Sequence, residues 1–297
     1  MPPCRAASET PMMLAAPVPP AEKAAPRSRL QRVDGAAMVH FGPRGLRDLK
    51  QVAPARLLFP DIDAGEFPLV VTVTTSGGLT GGDRLSLHVR IDAEASATVI
   101  PQAAEKIYRA LPDDPPTRIE TRISLGAGSR CEWLAQEAIL FDRSRMRRSL
   151  DIDMAPDARL LAAEMIVLGR GAMGETFESG LIHDGWRIRR GGRLVWADTL
   201  HIDGDVAEIA ARPFGFDGAI AVLTMVYAGP DAAAHLELAR TLVPAPHGGA
   251  TCLDGLLIVR MTGPDPRHVR DIALRSAEIL RSAVFGLSPR LPSICYC

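Results

Sequence analysis

TTSGGLTGGDRLSLHVRI, Thr74 to Ile91, sets four glycines within six residues and then releases the chain into alternation. In its second half Leu85, Leu87, Val89 and Ile91 share one face, and Arg84, Ser86, His88 and Arg90 share the other. A period of two marks a half-buried strand. A phosphate cradle would need GxxxxGK[ST] and a following helix, so that backbone N–H groups face the anion. Gly77, Gly78, Gly81 and Gly82 have no lysine behind them, a strand pattern follows, and Asp83 would repel an anion. The glycines therefore predict a tight turn with positive φ and a close crossing of backbones.

The alternation recurs on both sides. TRISLGAG, SRCEWLAQ, SLDIDM, WRIRRGGRLVWADTLHID and GLLIVRMTG are short period-two segments separated by Gly, Asp and Pro turns. Such spacing predicts an all-β chain. Two segments break it. Pro230–Leu242 repeats Leu236, Ala239 and Leu242 at helical spacing. Asp265–Phe285 offers Asp265 as N-cap, Pro266 as the first helical residue, an apolar stripe, and Gly286 as the stop. There is also an internal echo. ASATVIPQAAEKIY, GSRCEWLAQEAILF and DARLLAAEMIVLG each run a strand, then Gln102, Gln136 or Glu164, then a second apolar stretch. Stacked layers of a coiled sheet would produce it. No βαβ alternation is present and no compositional break follows residue 30, so residues 29–297 are read as one domain.

Composition narrows the function classes. Of the 297 residues 47% are hydrophobic, enough for a sizeable core, and the net charge is −1, which argues against a protein built to neutralise nucleic-acid phosphates. No apolar run of about 18 residues exists to span a membrane. Residues 1–28 are rich in Ala and Pro, lack a secretory h-region, and are read as a flexible tail. The five cysteines, Cys4, Cys131, Cys252, Cys295 and Cys297, include no CxxC pair. That is no disulfide framework and fits a reducing cytoplasm. The terminal CYC is either a soft-metal pair at i, i+2 or two ordinary thiols.

Other chemistry is sparse. GRGAMG, Gly169 to Gly174, matches GxGxxG, but ETFESGLIHDGW after it returns to strand spacing, where a dinucleotide site needs a helix. There is no HExxH and no GxSxG, and the seven histidines are scattered. His201 and Asp203 are spaced to share a strand face and His183 precedes Asp184, and each pair reads as surface polarity sooner than as metal ligands. The arginines at 143, 145, 147 and 148 and at 187, 189, 190 and 193 read as a solvated face or a docking patch, since aromatic residues are too few for a nucleic-acid stripe. The carboxylates stand out. Glu105, Glu137, Asp142, Glu164 and Glu175 lie in or beside apolar segments. An acid there is unfavourable unless it is paired, hydrated or holding a cation. Two readings stay open: structural ion pairs with nearby arginines, or a polar, water-filled path with oxygen ligands that hold a divalent cation only weakly.

SGGLTGGDRL, QAAEKIYRA, QEAILFDRSRMRRSLDIDM and EMIVLGRGAMGE, in this order and spacing, resemble the urease accessory protein UreD family, named UreH in some systems. The resemblance covers roughly Leu30 to Pro292. The ending LPSICYC departs from the family's usual tail, with Ser293 where Arg is common. The resemblance implies a mainly β, two-layer, helically coiled sheet scaffold with about two helices near the C-terminal part. It implies no catalysis and no tightly bound cofactor. It implies partners: the accessory protein UreF, the GTPase UreG and urease apoprotein, acting so that nickel reaches a carbamylated lysine of urease. It also implies an internal nickel path whose lining would include Asp83, Glu137, Asp142 and Glu175. The helix at Asp265–Phe285 is then either a docking element for UreF or a lid on its own sheet. Two rival readings remain. One is a hydrolase with Glu137 and Asp142 as an acid–base pair. The other is a nickel store built on His201, His247 and the terminal cysteines.

Overall fold

In the computed structural model, residues 31–213 and 215–296 are described; the expected tail at 1–28, Cys4 and Cys297 lie outside them. From Arg32 onward the chain forms one compact unit. It weaves between two sheets. β1 (Asp34–Gly42) and β2 (Gly45–Val52) lie in the first sheet, and β3 (Ala55–Leu58) and β4 (Leu69–Thr74) in the second. β5 (Arg84–Ile91) returns to the first, and β6 (Ser96–Pro101) and β7 (Glu105–Ile107) to the second. β8 (Thr117–Leu125), β9 (Arg130–Leu140), β10 (Arg145–Met154) and β11 (Arg159–Leu168) then alternate strictly between first and second. The hairpin of β12 (Ser179–Arg190) and β13 (Arg193–Asp205) closes the first sheet. A short helix α1 (Val206–Ala211), β14 (Ala221–Ala228), α2 (Leu236–Leu242), β15 (Gly248–Leu253), β16 (Leu256–Gly263) and α3 (Pro266–Phe285) complete the second sheet and its cover.

Alternation of this kind winds the chain as a coil. β5, β8, β10 and β12 are parallel neighbours in the first sheet, and β4, β6, β9 and β11 are parallel neighbours in the second. The echo in the sequence is this winding, because its three copies are the adjacent strands β6, β9 and β11 with their flanks. The architecture is thus mainly β, as the period-two pattern predicts, and a two-sheet coil, as the resemblance implies. β11 shows why the pattern blurs in places. RLLAAEMIVL is buried on both faces, between the first sheet on one side and the helices on the other, so its apolar run is continuous.

The opening glycine stretch is a backbone crossing. Gly77 and Gly78 have φ of 75° and 143°, and a Cβ on Gly78 would lie 2.4 Å from the Tyr108 ring. The Leu79 amide donates to the Lys106 carbonyl, and the Tyr108 amide donates back to Leu79. The second glycine motif is equally tight. Gly169 has φ 78°, and a Cβ there would lie 2.5 Å from the Glu175 carbonyl oxygen. No helix of dinucleotide-binding length opens from it, only a one-turn 3-10 segment at Gly171–Met173.

The helices match expectation with one addition. The Asp265 side chain accepts from the Arg267 amide and Gly286 ends α3 with φ 70°. The expected helix at Pro230–Leu242 begins as a 3-10 turn at Ala232–His235 and becomes α2 at Leu236. α1 adds to the two expected helices. Six residues are too few to leave a helical period in the sequence, although Asp205 caps it by accepting from the Glu208 amide at 2.8 Å.

Three apolar cores result. Two lie between the sheets, one around Val39, Ile123, Leu150 and Trp186, the other around Leu79, Leu140, Met146 and Ile182. The third lies between the second sheet and α2 and α3.

Candidate functional site

The two inter-sheet cores are separated by a polar band, and single strands show it. Along β10 the inward residues run Met146, Arg148, Leu150. Along β11 they run Ala162, Glu164, Ile166, and along β12 Ile182, Asp184, Trp186. Arg148 donates from Nε and Nη2 to the two Asp184 oxygens at 2.7 and 2.8 Å. Glu164 Oε1 accepts from Trp133 Nε1 at 3.1 Å. Its Oε2 lies 3.3 Å from Arg148 Nη2 but is buried without a hydrogen bond. Burial pushes the Glu164 carboxyl up to about 7, against the pull of Arg148.

Opposite Glu164 the pairing of β9 and β11 slips. Ala163 faces Leu134 and Met165 faces Glu137, so Ala135 and Gln136 together oppose Glu164. This is a β-bulge, unusual in a parallel pair and common beside functional sites. It has two consequences. The phase of β9 inverts, so that Trp133 and Ala138 both face the other sheet while Glu137 faces α3. The bulged residues Ala135 and Gln136 also border cavities on both sides of the second sheet.

Three cavities meet there. One of about 250 Å³ lies between the sheets, with Glu105, Gln102, Gln136, Arg148 and Glu164 among its walls. One of about 40 Å³ lies between the second sheet and α3, with Gln136, Glu137, Glu164, Arg270 and Cys295. One of about 260 Å³ lies toward β12–β16, with Arg148, Glu164, Asp184 and Arg260. Glu164 borders all three, and Ala135 and Gln136 border the first two. Gln102, Gln136 and Glu164, the polar residues of the sequence echo, thus share one cavity wall. Glu105 accepts from Thr74 Oγ1 at 3.1 Å, and burial pushes its carboxyl up to about 7.

The four acids implied by the resemblance are not one cluster. Glu137 borders the smallest cavity and pairs with Arg270 Nε at 3.1 Å. Asp142 and Glu175 are brought together at the corner between β9 and β10. The Asp142 amide donates to Glu175 Oε1 at 3.0 Å, and Asp142 Oδ1 accepts from the Glu178 and Ser179 amides. Glu175 Oε2 pairs with Arg170, which stacks 4.2 Å over the Phe141 ring. Asp83 stands apart. Its oxygens accept from the Val33 and Thr80 amides, each at 2.8 Å, and so lock the glycine turn. Asp83, Asp142 and Glu175 line none of the three cavities.

Sequence reasoning placed Arg148 in a solvated or docking arginine cluster and read Asp184, beside His183, as surface polarity. Both are inward-facing, and the signal was their phase: each sits at an apolar position of an alternating strand. Glu137 pairs with Arg270 and Asp142 accepts from the Glu178 amide, so the two acids have separate partners. His201 pairs with His183, Nδ1 to Nδ1 at 3.4 Å, and Cys295 is buried in the helix-side core. No group of three or more His, Cys, Asp or Glu that could hold a metal occurs among the described residues. α3 buries Val269, Ala277, Leu280 and Val284 against its own sheet. No helix among the described residues is long and apolar enough to cross a membrane.

What this arrangement offers chemically is a pair of carboxyl groups of raised proton affinity, Glu105 and Glu164, on the wall of a cavity inside an apolar scaffold. The family described as UreD urease accessory protein matches residues 33–296. The urease accessory protein UreD of Rhizobium leguminosarum bv. trifolii is 43% identical over 263 residues, 87% of this chain and 95% of that protein. UreD 2 of Methylorubrum populi is 43% identical over 269 residues, 89% of this chain and 90% of that protein. The coiled two-sheet fold and these matches over nearly the whole described length place the chain in the UreD urease accessory protein family.

Proposed function

We propose that this chain is a urease-maturation scaffold that passes nickel through its interior, by way of Glu105, Glu164 and Glu137, toward urease apoprotein. The observation that supports the route is that Glu164, one of whose buried oxygens makes no hydrogen bond and faces the Arg148 guanidinium at 3.3 Å, borders all three cavities beside a bulge in the second sheet. Family membership supports the coarser role, accessory to urease and without turnover of its own.

The donor chemistry suits cargo. A carboxylate whose affinity for a proton is raised to about 7 exchanges that proton for a cation near neutrality and releases the cation readily. Oxygen ligands with water hold nickel weakly, whereas imidazole or thiolate cages would retain it. Arg148 does not bar the route, because its charge is taken up by Asp184. Asp142 and Glu175, which line none of the three cavities, serve in this reading as an outer receiving pair at the β9–β10 corner. Their outer oxygens pair with Arg143 and Arg170, half-exposed or exposed side chains that can swing away. UreF and UreG are the proposed co-factors of the assembly, with α3 and the segment after it as a docking element for UreF.

The test is activation of apo-urease by the purified assembly with nickel and bicarbonate. Glu164→Gln and Glu175→Ala each leave co-purification with the partners intact and reduce activated urease by about tenfold or more, the loss expected when an oriented ligand is removed. Normal activation by both variants would sink the route. A store built on His201, His247 and the terminal cysteines predicts instead tight, stoichiometric nickel binding that survives Glu164→Gln.

A further inference from the structure

The outer face of the second sheet is covered by α2 and α3, but no element packs on the outer face of the first sheet among the described residues. That bare face is divided by charge. On one half most cations approach an acid: Arg187 and Arg189 lie 3.9–4.0 Å from Asp151 and Asp153, and Arg90 lies 3.4 Å from Asp92, while Arg122, in register with Asp151, makes no ion pair among the described residues. On the other half they do not. Arg84 is in register with Arg118, Arg118 with Arg147, Arg147 with His183, and His183 with His201. Arg84, Arg118 and Arg147 are exposed and make no ion pair or side-chain hydrogen bond among the described residues. Asp34 is Arg84's partner on β1 but does not reach it, and Glu120 lies one row away. Like charges placed directly opposite one another on neighbouring strands oppose folding. The field reaches the neighbouring imidazole: the His183 proton affinity is lowered by partial burial and by Arg147.

We infer that this row is a docking surface for an acidic helix of a partner protein. The spacing decides the shape of the occupant. Adjacent strands lie about 4.8 Å apart, so three arginines in register present cations at that interval. Carboxylates at i, i+3 and i+4 on a helix lie about 5–6 Å apart, a close match. Alternate residues of an extended strand lie about 6.6–6.8 Å apart and drift out of step. Nucleic acid fits less well. The row's rings, the imidazoles of His183 and His201, pack edge to face on each other at 5.3 Å, and Glu120 beside the row repels phosphate. The occupant is not α3, which carries only Asp271 and Glu278 as acids and is spent on the second sheet.

The probe is a labelled helical peptide with glutamates at every third and fourth position, titrated with the full-length chain and followed by fluorescence anisotropy. The wild type binds it, more weakly as salt is raised. Arg84→Gln/Arg118→Gln/Arg147→Gln weakens binding by about tenfold or more, while Arg187→Gln/Arg189→Gln stays within about twofold, since those charges are already matched. The triple variant melts at the same temperature as wild type or higher. The inference is overturned if the wild type does not bind the peptide or if the triple variant binds it as well. It is also overturned if single-stranded DNA or phosphatidylserine vesicles bind more tightly through the same three arginines, or if the triple variant melts lower, which would make the row a structural network.

Discussion

Two buried arginines sit on opposite sides of the second sheet and have different roles. Arg281 on α3 is fully enclosed. Its Nε and Nη2 donate to the two oxygens of Glu132 at 2.9 and 3.0 Å, and Nη1 donates to the Ser288 carbonyl at 2.9 Å. Glu66 and Arg290 take the remaining donors, and Thr98 donates to Glu132. Every oxygen and nitrogen of the pair is used. None of the three cavities touches it. Arg148 and Glu164 use the same residue types, yet one carboxylate oxygen lacks a hydrogen bond and cavities border it on three sides. A saturated network joins elements together; an unsaturated one beside water-sized space is available to a ligand.

The largest effect expected from this contrast is at Arg281. Arg281→Met leaves Glu132 buried without a cation, at a cost on the order of 3–5 kcal/mol, and should lower the melting temperature by roughly ten degrees. Adding Glu132→Gln should restore part of the loss. A single variant that melts like wild type would break the comparison. Next comes Asp83→Ala, which strips acceptors from two backbone amides and costs about 1–3 kcal/mol, with urease activation per folded molecule unchanged.

A smaller effect depends on pH. The Glu105 carboxyl is raised from 4.5 to about 7 in the folded chain. The folded state therefore binds this proton more tightly than the unfolded state. The stability it contributes is complete below about 4.5 and is lost as pH rises through about 7. Glu105→Gln removes that dependence, so its melting temperature relative to wild type should climb between about pH 5 and pH 8, by the equivalent of about 1–3 kcal/mol. A flat difference would show that Glu105 is solvated as an ordinary surface acid. The smallest effect on stability belongs to Glu164→Gln near neutral pH, where the amide keeps an acceptor for Trp133 and Arg148 keeps Asp184. Its melting temperature should stay within about two degrees of wild type.

Much of this was legible in the sequence. Alternation in RLSLHVRI and its relatives predicts the strands, and Asp265, Pro266 and Gly286 mark the long helix within a residue. The echo built on Gln102, Gln136 and Glu164 is the winding of the second sheet seen end on. What escaped has a physical cause. One extra residue at Ala135–Gln136 reverses the phase of everything after it, so alternation counted from Trp133 sends Glu137 to the wrong face. Asp83 enters the expected path only through the resemblance, and nothing in the sequence reveals that the distant Val33 amide joins the nearby Thr80 amide in occupying it. Arg148 and Asp184 could have been found, had their apolar phase been weighed above their charge.

The account rests on the interior being open at Glu164, and the most direct test is to close it without touching a carboxylate. Ala135 borders both the inter-sheet cavity and the helix-side cavity. Ala135→Leu fills that junction, and Ala197→Leu on the exposed face of β13 adds the same bulk outside. With both variants folded and bound to their partners, nickel-dependent urease activation should fall by about tenfold or more for Ala135→Leu and stay unchanged for Ala197→Leu. Full activation by the Ala135→Leu chain would mean that nickel travels past this protein and not through it.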